Sequence, residues 1–202
     1  VFLFGFLETL PLLARFDTAR DFQFVEKLNW IPSAGASYHL GIDGISLLMV
    51  VMTNLIGFLA VLSSWSAINT RLKEYYAYFL IQQVGMLGVF MSMDFLLFFV
   101  FWEVTLVPMY FIIGIWGGPR RAYAAIKFVI YTATGSILML LGILTLYYMH
   151  GQQFQTYTFN IQELIRTQLP WAAGWWVFWA LFIGFAVKVP MWPFHTWLPD
   201  AH

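Results

Sequence analysis

The stretch DFLLFFVFWEVTLVPMYFIIGIWGG (residues 94–118) decides the fold. Between its opening aspartate and closing glycines it carries a single ionisable side chain, Glu103, and a single proline, Pro108. A helix rises about 1.5 Å per residue and a bilayer core is about 30 Å thick, so about 20 apolar residues cross it. A soluble helix of this length would need a polar face, and this one has none. The stretch therefore reads as a transmembrane helix. Glu103 then lies about 14 Å from Asp94, near mid-membrane, too deep for a short carboxylate to reach the surface. Pro108 leaves the carbonyl of Val104 without its helical partner, so a carboxylate and a broken backbone bond lie within about one turn. Such defects persist only where protein or water surrounds them, which makes Glu103 a functional candidate. The structural alternative is a protonated glutamate bonded to a neighbouring helix.

Working outward, four more stretches are long and apolar: 46–66, 75–93, 122–149 and 174 to about 190, with 1–14 as the tail of an earlier span. The chain has 202 residues, 61% of them hydrophobic and 10% charged, against about a quarter charged in soluble domains. The expected fold is an all-α, polytopic transmembrane helix bundle forming one membrane domain over 1–202, with about five spans and a partial one. The divisions are a 15–45 extracytoplasmic loop, transmembrane helices over 46–190, and 191–202 as continuation after a helix break. Opening on Val1 without a signal-peptide n-region, and stopping inside a motif, the sequence reads as an internal piece of a longer chain. Ten basic and ten acidic residues cancel, so no nucleic-acid partner is indicated. The lack of cysteine excludes Cys-ligated clusters, thiol catalysis and disulfides within this chain.

Basic residues in short loops give the orientation. Arg71 and Lys73 fall in 67–74, and Arg120 and Arg121 in 117–121; these loops should face the cytoplasm. The 15–45 loop, the Ser92–Asp94 turn and the 150–173 loop should share the opposite side. Within 15–45, Asp43 or Ser46 is placed to cap the next helix, a better account of Asp43 and His39 than a catalytic one. The FNIQELIRTQLP segment suits a short surface helix, and His150 should sit at the interface.

The second charge in a span is Lys188, in GFAVKVPMWPFHTWLPDAH (184–202). It lies about 21 Å along its helix from Gly174. Pro190 and Pro193 free the carbonyls of Ala186 and Val189 on either side of it. A discontinuous helix with exposed carbonyls beside a charge is a construction transporters use at their midplane. Snorkelling to the cytoplasmic surface is the bland alternative. If Glu103 and Lys188 lay about 6 Å apart, their attraction at an effective dielectric near 20 would be about 2.8 kcal/mol. One proton or one moving neighbour could then switch the pair, which suits a proton relay. Lys127 could join such a relay or snorkel, and His195 could shuttle protons or bond a freed carbonyl. No nucleophile constellation, phosphate-binding loop or metal-ligand spacing appears; His39 and His202 in particular have no partner ligands in sequence.

HLGIDGISLLMVV, FWEVTLVPMYFIIGIWG and GFAVKVPMWPFHTWLPDAH closely resemble the antiporter-like subunits of NADH:quinone oxidoreductase, respiratory complex I. The LVPMYF and HTWLPDAH forms fit its M-type member (chain 4 in mitochondrial naming) better than the sister subunits. The likeness runs from about residue 38 to the end. It implies a proton-translocating membrane-arm subunit with inverted repeats, of which this chain holds the first repeat through its discontinuous helix. The family's essential glutamate falls on Glu103 and its central lysine on Lys188. The resemblance further implies that NADH, FMN, iron–sulfur clusters and quinone belong to other subunits, so this chain would hold no cofactor or metal of its own. Its partners would be other membrane-arm subunits, including sister antiporter-like ones, together with lipid and protons. The place would be the bacterial cytoplasmic membrane, or the mitochondrial inner membrane if the chain is organellar. The alternatives are a subunit of a multi-chain cation/proton antiporter, or of a related membrane-bound hydrogenase or ferredoxin-dependent complex. A purely structural scaffold is the remaining one.

Overall fold

The computed structural model describes residues 1–201. Helix α1 (Phe2–Arg15) leads into a β-hairpin, β1 (Gln23–Ile31) and β2 (Ala36–Ile42), followed by α2 (Gly44–Ala67) and α3 (Leu72–Met91). Then come α4 (Phe95–Val104), α5 (Leu106–Trp116), α6 (Arg121–Phe154), the one-turn α7 (Ile161–Leu164), α8 (Trp171–Lys188) and α9 (Leu198–Ala201). Four segments are long and apolar enough to cross a membrane: α2, α4 with α5, α6 and α8. The 20-residue α3 has the length, but Lys73, Glu74, Gln82 and Gln83 dilute its apolar character. Helix α6, at 34 residues, is about 50 Å long and must project beyond a hydrocarbon core of about 30 Å.

Helices α6 and α8 pack along one another, and small residues let them approach. A Cβ added at Gly184 would fall 2.7 Å from the Cβ of Met139, and one at Gly142 would fall 3.0 Å from that of Ala180. Lipid gives helices no hydrophobic incentive to associate, so close backbone approach and dense contact must supply it. Met139, in the middle of this seam, has no exposed surface.

The hairpin departs from the all-helical expectation. Its turn uses Pro32–Ala34 and then Gly35 at φ +67°, where a Cβ would strike the carbonyl oxygen of Tyr157 at 1.9 Å. Glycine is required there on both counts. Strand β2 is half buried, while β1 is exposed along nearly its whole length. The hairpin is fastened by Asp94, which has no exposed surface. One carboxylate oxygen of Asp94 accepts from the Ser37 amide and hydroxyl at 2.8 and 3.1 Å; the other caps α4 through Leu96 and Leu97. Backbone bonds from Met93 to the His39 carbonyl, and from Ile161 to that of Met93, stitch in the turn and the loop after α6. The three segments that the charge pattern assigns to one side are thus joined in one assembly. At the other end of the bundle, the Trp116 indole donates to the Thr70 carbonyl and Arg120 meets Asp200.

Asp43 is the N-cap of α2, accepting from Ile45 and Ser46 while the Ser46 hydroxyl accepts from the Asp43 amide. The Ser46 amide, its strongest influence, holds the Asp43 carboxyl below the usual aspartate range. His150 is buried, 4% exposed: its Nδ1 lies 2.9 Å from the Thr167 hydroxyl and its ring packs on Phe154. The loop after α6 folds back over it, a long-range contact that the sequence does not display.

Candidate functional site

The span of 94–118 divides at Thr105, between α4 and α5. Pro108 has no N–H to continue the ladder, and it is itself buried. Thr105 is 4% exposed; its hydroxyl donates to the Trp102 carbonyl at 2.7 Å, and its amide reaches the Phe101 carbonyl at 3.3 Å. The discontinuity therefore places a hydroxyl inside the membrane, satisfied by its own helix.

Lys188, the last residue of α8, points to that hydroxyl. Its Nζ donates to Thr105 Oγ1 at 2.9 Å and stands 5.2 Å from the centre of the Trp102 ring. The indole N–H of Trp102 is taken by the Ser136 hydroxyl on α6 at 3.1 Å, and its ring is held between Phe98 and Phe185. A charged hydrogen bond contributes about 1.5–3 kcal/mol and a cation–π contact about 0.5–2 kcal/mol. Desolvating an ammonium costs several kcal/mol, about as much as these two contacts return. Glu103 lies within electrostatic range of Lys188. Among the described residues, however, the two form no direct ion pair. Thr105 and Trp102 are the groups that touch the ammonium. Glu103 Oε1 is buried with no hydrogen-bond partner. A cavity of about 710 Å³ lies alongside, lined by Asp43 and Ser46 of α2, Gln82 of α3, and Trp102, Thr105 and Lys188. The Oε1 of Gln82 is likewise buried and unpartnered. A buried acceptor without a donor is a place where a proton or a water gains a bond.

The backbone around Lys188 corrects the sequence reading of freed carbonyls. Pro190 does release the Ala186 carbonyl, but the Met191 amide takes it at 2.8 Å. The carbonyl of Val187 accepts the indole N–H of Trp197 at 2.9 Å. The chain turns back so tightly that it recaps its own helix. His195 bonds no freed carbonyl; its Nδ1 is buried and unpartnered. Lys127, which the sequence offered to a relay or to snorkelling, ion-pairs with Asp200 at 2.8 Å. Thr105, Trp102 and Asp200 were missed as site residues. For Thr105 a signal existed, a lone hydroxyl three residues before a proline in an apolar run.

His39 is 5% exposed on β2, with its Nδ1 unpartnered. Burial first, then Lys27, pushes it below the ordinary histidine range, against Asp94 and Glu163.

The fold and site define a polytopic α-helical membrane protein with ionisable side chains at the interruptions of its spans. The sequence profile of the NADH:quinone oxidoreductase/Mrp antiporter transmembrane family matches residues 92–202, more than half of the chain. The chain belongs to that family. It is 46% identical to NADH-quinone oxidoreductase subunit M of Rhodobacter capsulatus, covering 98% of this chain and 40% of that protein. It is 39% identical to F(420)H(2) dehydrogenase subunit M of Methanosarcina mazei, covering 98% of this chain and 42% of the other. Among solved structures, a chain of respiratory complex I from Thermus thermophilus superposes with a TM-score of 0.86 at 31% identity, over all of this chain and 41% of that one. A chain of the Mrp complex from Dietzia shares the fold, with a TM-score of 0.84 at 20% identity, over 99% and 22%. The chain thus spans about 40% of the length of the curated relatives it matches.

Proposed function

We propose that this chain is the first-repeat portion of an M-type membrane-arm subunit of NADH:quinone oxidoreductase, and that it moves protons through Glu103 and Lys188. The observation that carries the reading is the Lys188 ammonium, held inside a membrane bundle by one neutral hydroxyl and one ring. The carboxylate on the adjoining turn keeps an unpartnered oxygen. A structural lysine would be matched by a carboxylate in contact. A lysine met only by neutral groups can gain and lose its proton as Glu103, water or a helix shifts.

No bond-making chemistry is needed of this chain. NADH oxidation, with flavin, iron–sulfur clusters and quinone, is assigned to other subunits, whose redox energy would reach this one through the membrane arm. The expected place is the bacterial cytoplasmic membrane, or the mitochondrial inner membrane for an organellar chain, with sister antiporter-like subunits as neighbours. Lys127 is given no part in the relay, because Asp200 occupies it. His195, buried and unpartnered at Nδ1, is kept as a possible step beyond the helix end.

The similarity to an F(420)H(2) dehydrogenase subunit supports a second reading, the same pump served by another electron donor. A multi-chain cation/proton antiporter shares the fold and differs in lacking redox partners. The decisive experiment places Lys188→Ala in the full-length protein, with the assembled complex in sealed vesicles. NADH-driven quinone reduction and acidification are followed together, with assembly checked by mass. Loss of both in an assembled complex is the expected result; unchanged pumping would overturn the proposal.

A further inference from the structure

The segment after the helix break is not a loose tail. From Lys188 the chain turns through Pro190 and Pro193 into a 3-10 turn, Phe194–Trp197, and then α9. Trp197 is 5% exposed and packs with Ile113, Ala124, Ala125 and Phe128, its ring centre 5.2 Å from that of Phe128. Its indole N–H reaches back to the carbonyl of Val187, the residue next to Lys188. The Thr196 hydroxyl donates to Tyr131 on α6 at 2.7 Å. At the end of the segment, Asp200 is gripped from two positions on the start of α6. Arg120 Nη2 meets one carboxylate oxygen at 2.7 Å, and Lys127 Nζ meets the other at 2.8 Å.

These contacts form one mechanical line. The ion pairs anchor α9 to α6, α9 fixes Trp197, and Trp197 fixes the carbonyl beside Lys188. A strap held only by packing could slide along α6; one held by both oxygens of a carboxylate has a register. The Lys127 and Asp200 side chains are 20% and 12% exposed, so water screens their pair less than it would a surface bridge, while Arg120, 76% exposed, grips from the solvent side.

We propose that Asp200 and Trp197 are positioning residues for Lys188: together with Arg120 and Lys127 they clamp the end of α8, so that the lysine Nζ meets Thr105. The proposal rests on the reading that Lys188 carries protons. It adds that the ion pairs at the cytoplasmic end, though away from the mid-membrane, set the geometry of that step.

The test uses the full-length subunit in its assembled complex, with Asp200→Asn, Asp200→Glu and Trp197→Phe. The last keeps a ring against Phe128 but removes the indole donor. Hydrogen exchange of the peptide covering 184–201 and the pH profile of vesicle acidification are measured for each. Asp200→Asn and Trp197→Phe should raise exchange at least tenfold, and should displace the pH profile of pumping. Asp200→Glu should stay within about twofold of the parent on both. Unchanged exchange in Asp200→Asn overturns the clamp; if that variant fails to assemble, Trp197→Phe decides by the same criterion. Raised exchange with an unmoved pH profile overturns the positioning role and leaves the strap as structure. If Lys188→Ala itself pumps normally, the proton-carrying reading fails, and the exchange data still report whether the clamp exists.

Discussion

Two carboxylates lie nine residues apart on one span and live in opposite circumstances. Asp94, at the end of α4 near the hairpin, has no exposed surface and four donors: the Ser37 amide and hydroxyl and the amides of Leu96 and Leu97. Glu103, at the other end of the same helix, keeps a buried oxygen with none. A carboxylate with its acceptors filled is a fastener. One with an empty acceptor is not tied down by the protein around it. The difference separates a fastened carboxylate from the one proposed to carry protons, within a single helix.

That contrast can be broken from either side. The largest effect should come from Asp94→Ala, which strands a helix cap and two buried donors of the hairpin. A loss of about 3 kcal/mol is expected, read as lower thermal stability of the full-length subunit in detergent. A variant as stable as the parent would show that Asp94 holds nothing. Glu103→Gln should do the reverse. Stability should change by less than about 1 kcal/mol while proton pumping by the assembled complex falls at least tenfold, because no bond to the protein is lost. Equal damage to stability and pumping would erase the distinction.

Thr105→Val sharpens the same comparison by removing the hydroxyl that receives Lys188 while keeping the side-chain shape. Pumping should drop at least about tenfold, in line with one charge-assisted hydrogen bond, and Thr105→Ser should restore it. Normal pumping in the valine variant would show that the contact is incidental. The smallest effect belongs to Asp43, a part-buried cap. Asp43→Ala should cost about 1 kcal/mol at neutral pH. Since folding lowers the affinity of Asp43 for a proton, its contribution is complete above the unfolded value of 3.8 and is lost as the pH falls below it. The difference in melting temperature between parent and variant should therefore narrow progressively as the pH falls below 3.8. A gap that persists there would assign the cap to packing instead of charge.

How much of this was legible beforehand follows from range. Membrane spans are written locally, and the long apolar runs gave helices within a few residues of the observed ends. Glu103 and Lys188 stood out because a charge within an apolar run is visible without any partner. The contacts that give them meaning were not visible. Ser37 and Asp94 are 57 residues apart, Lys127 and Asp200 are 73 apart, and Thr105 and Lys188 are 83 apart. The hairpin stayed hidden for another reason: Gln23–Ile31 does not alternate cleanly, and both faces of β1 remain largely exposed. Of the two carbonyls that the prolines were read to free, that of Ala186 is retaken by the Met191 amide, because a turn that brings Met191 back cannot be deduced from two prolines.

The sequence by itself determined that this protein lives in a bilayer, where its helices lie and which side chains are costly there. Those are transfer free energies, fixed by residue type and run length. Only the tertiary structure decided that Asp94 is satisfied and Glu103 is not, that Thr105 receives Lys188, and that Asp200 closes the strap on α6. Hydrogen bonds and ion pairs act over about 3 Å, and no sequence pattern says which distant groups will come that close.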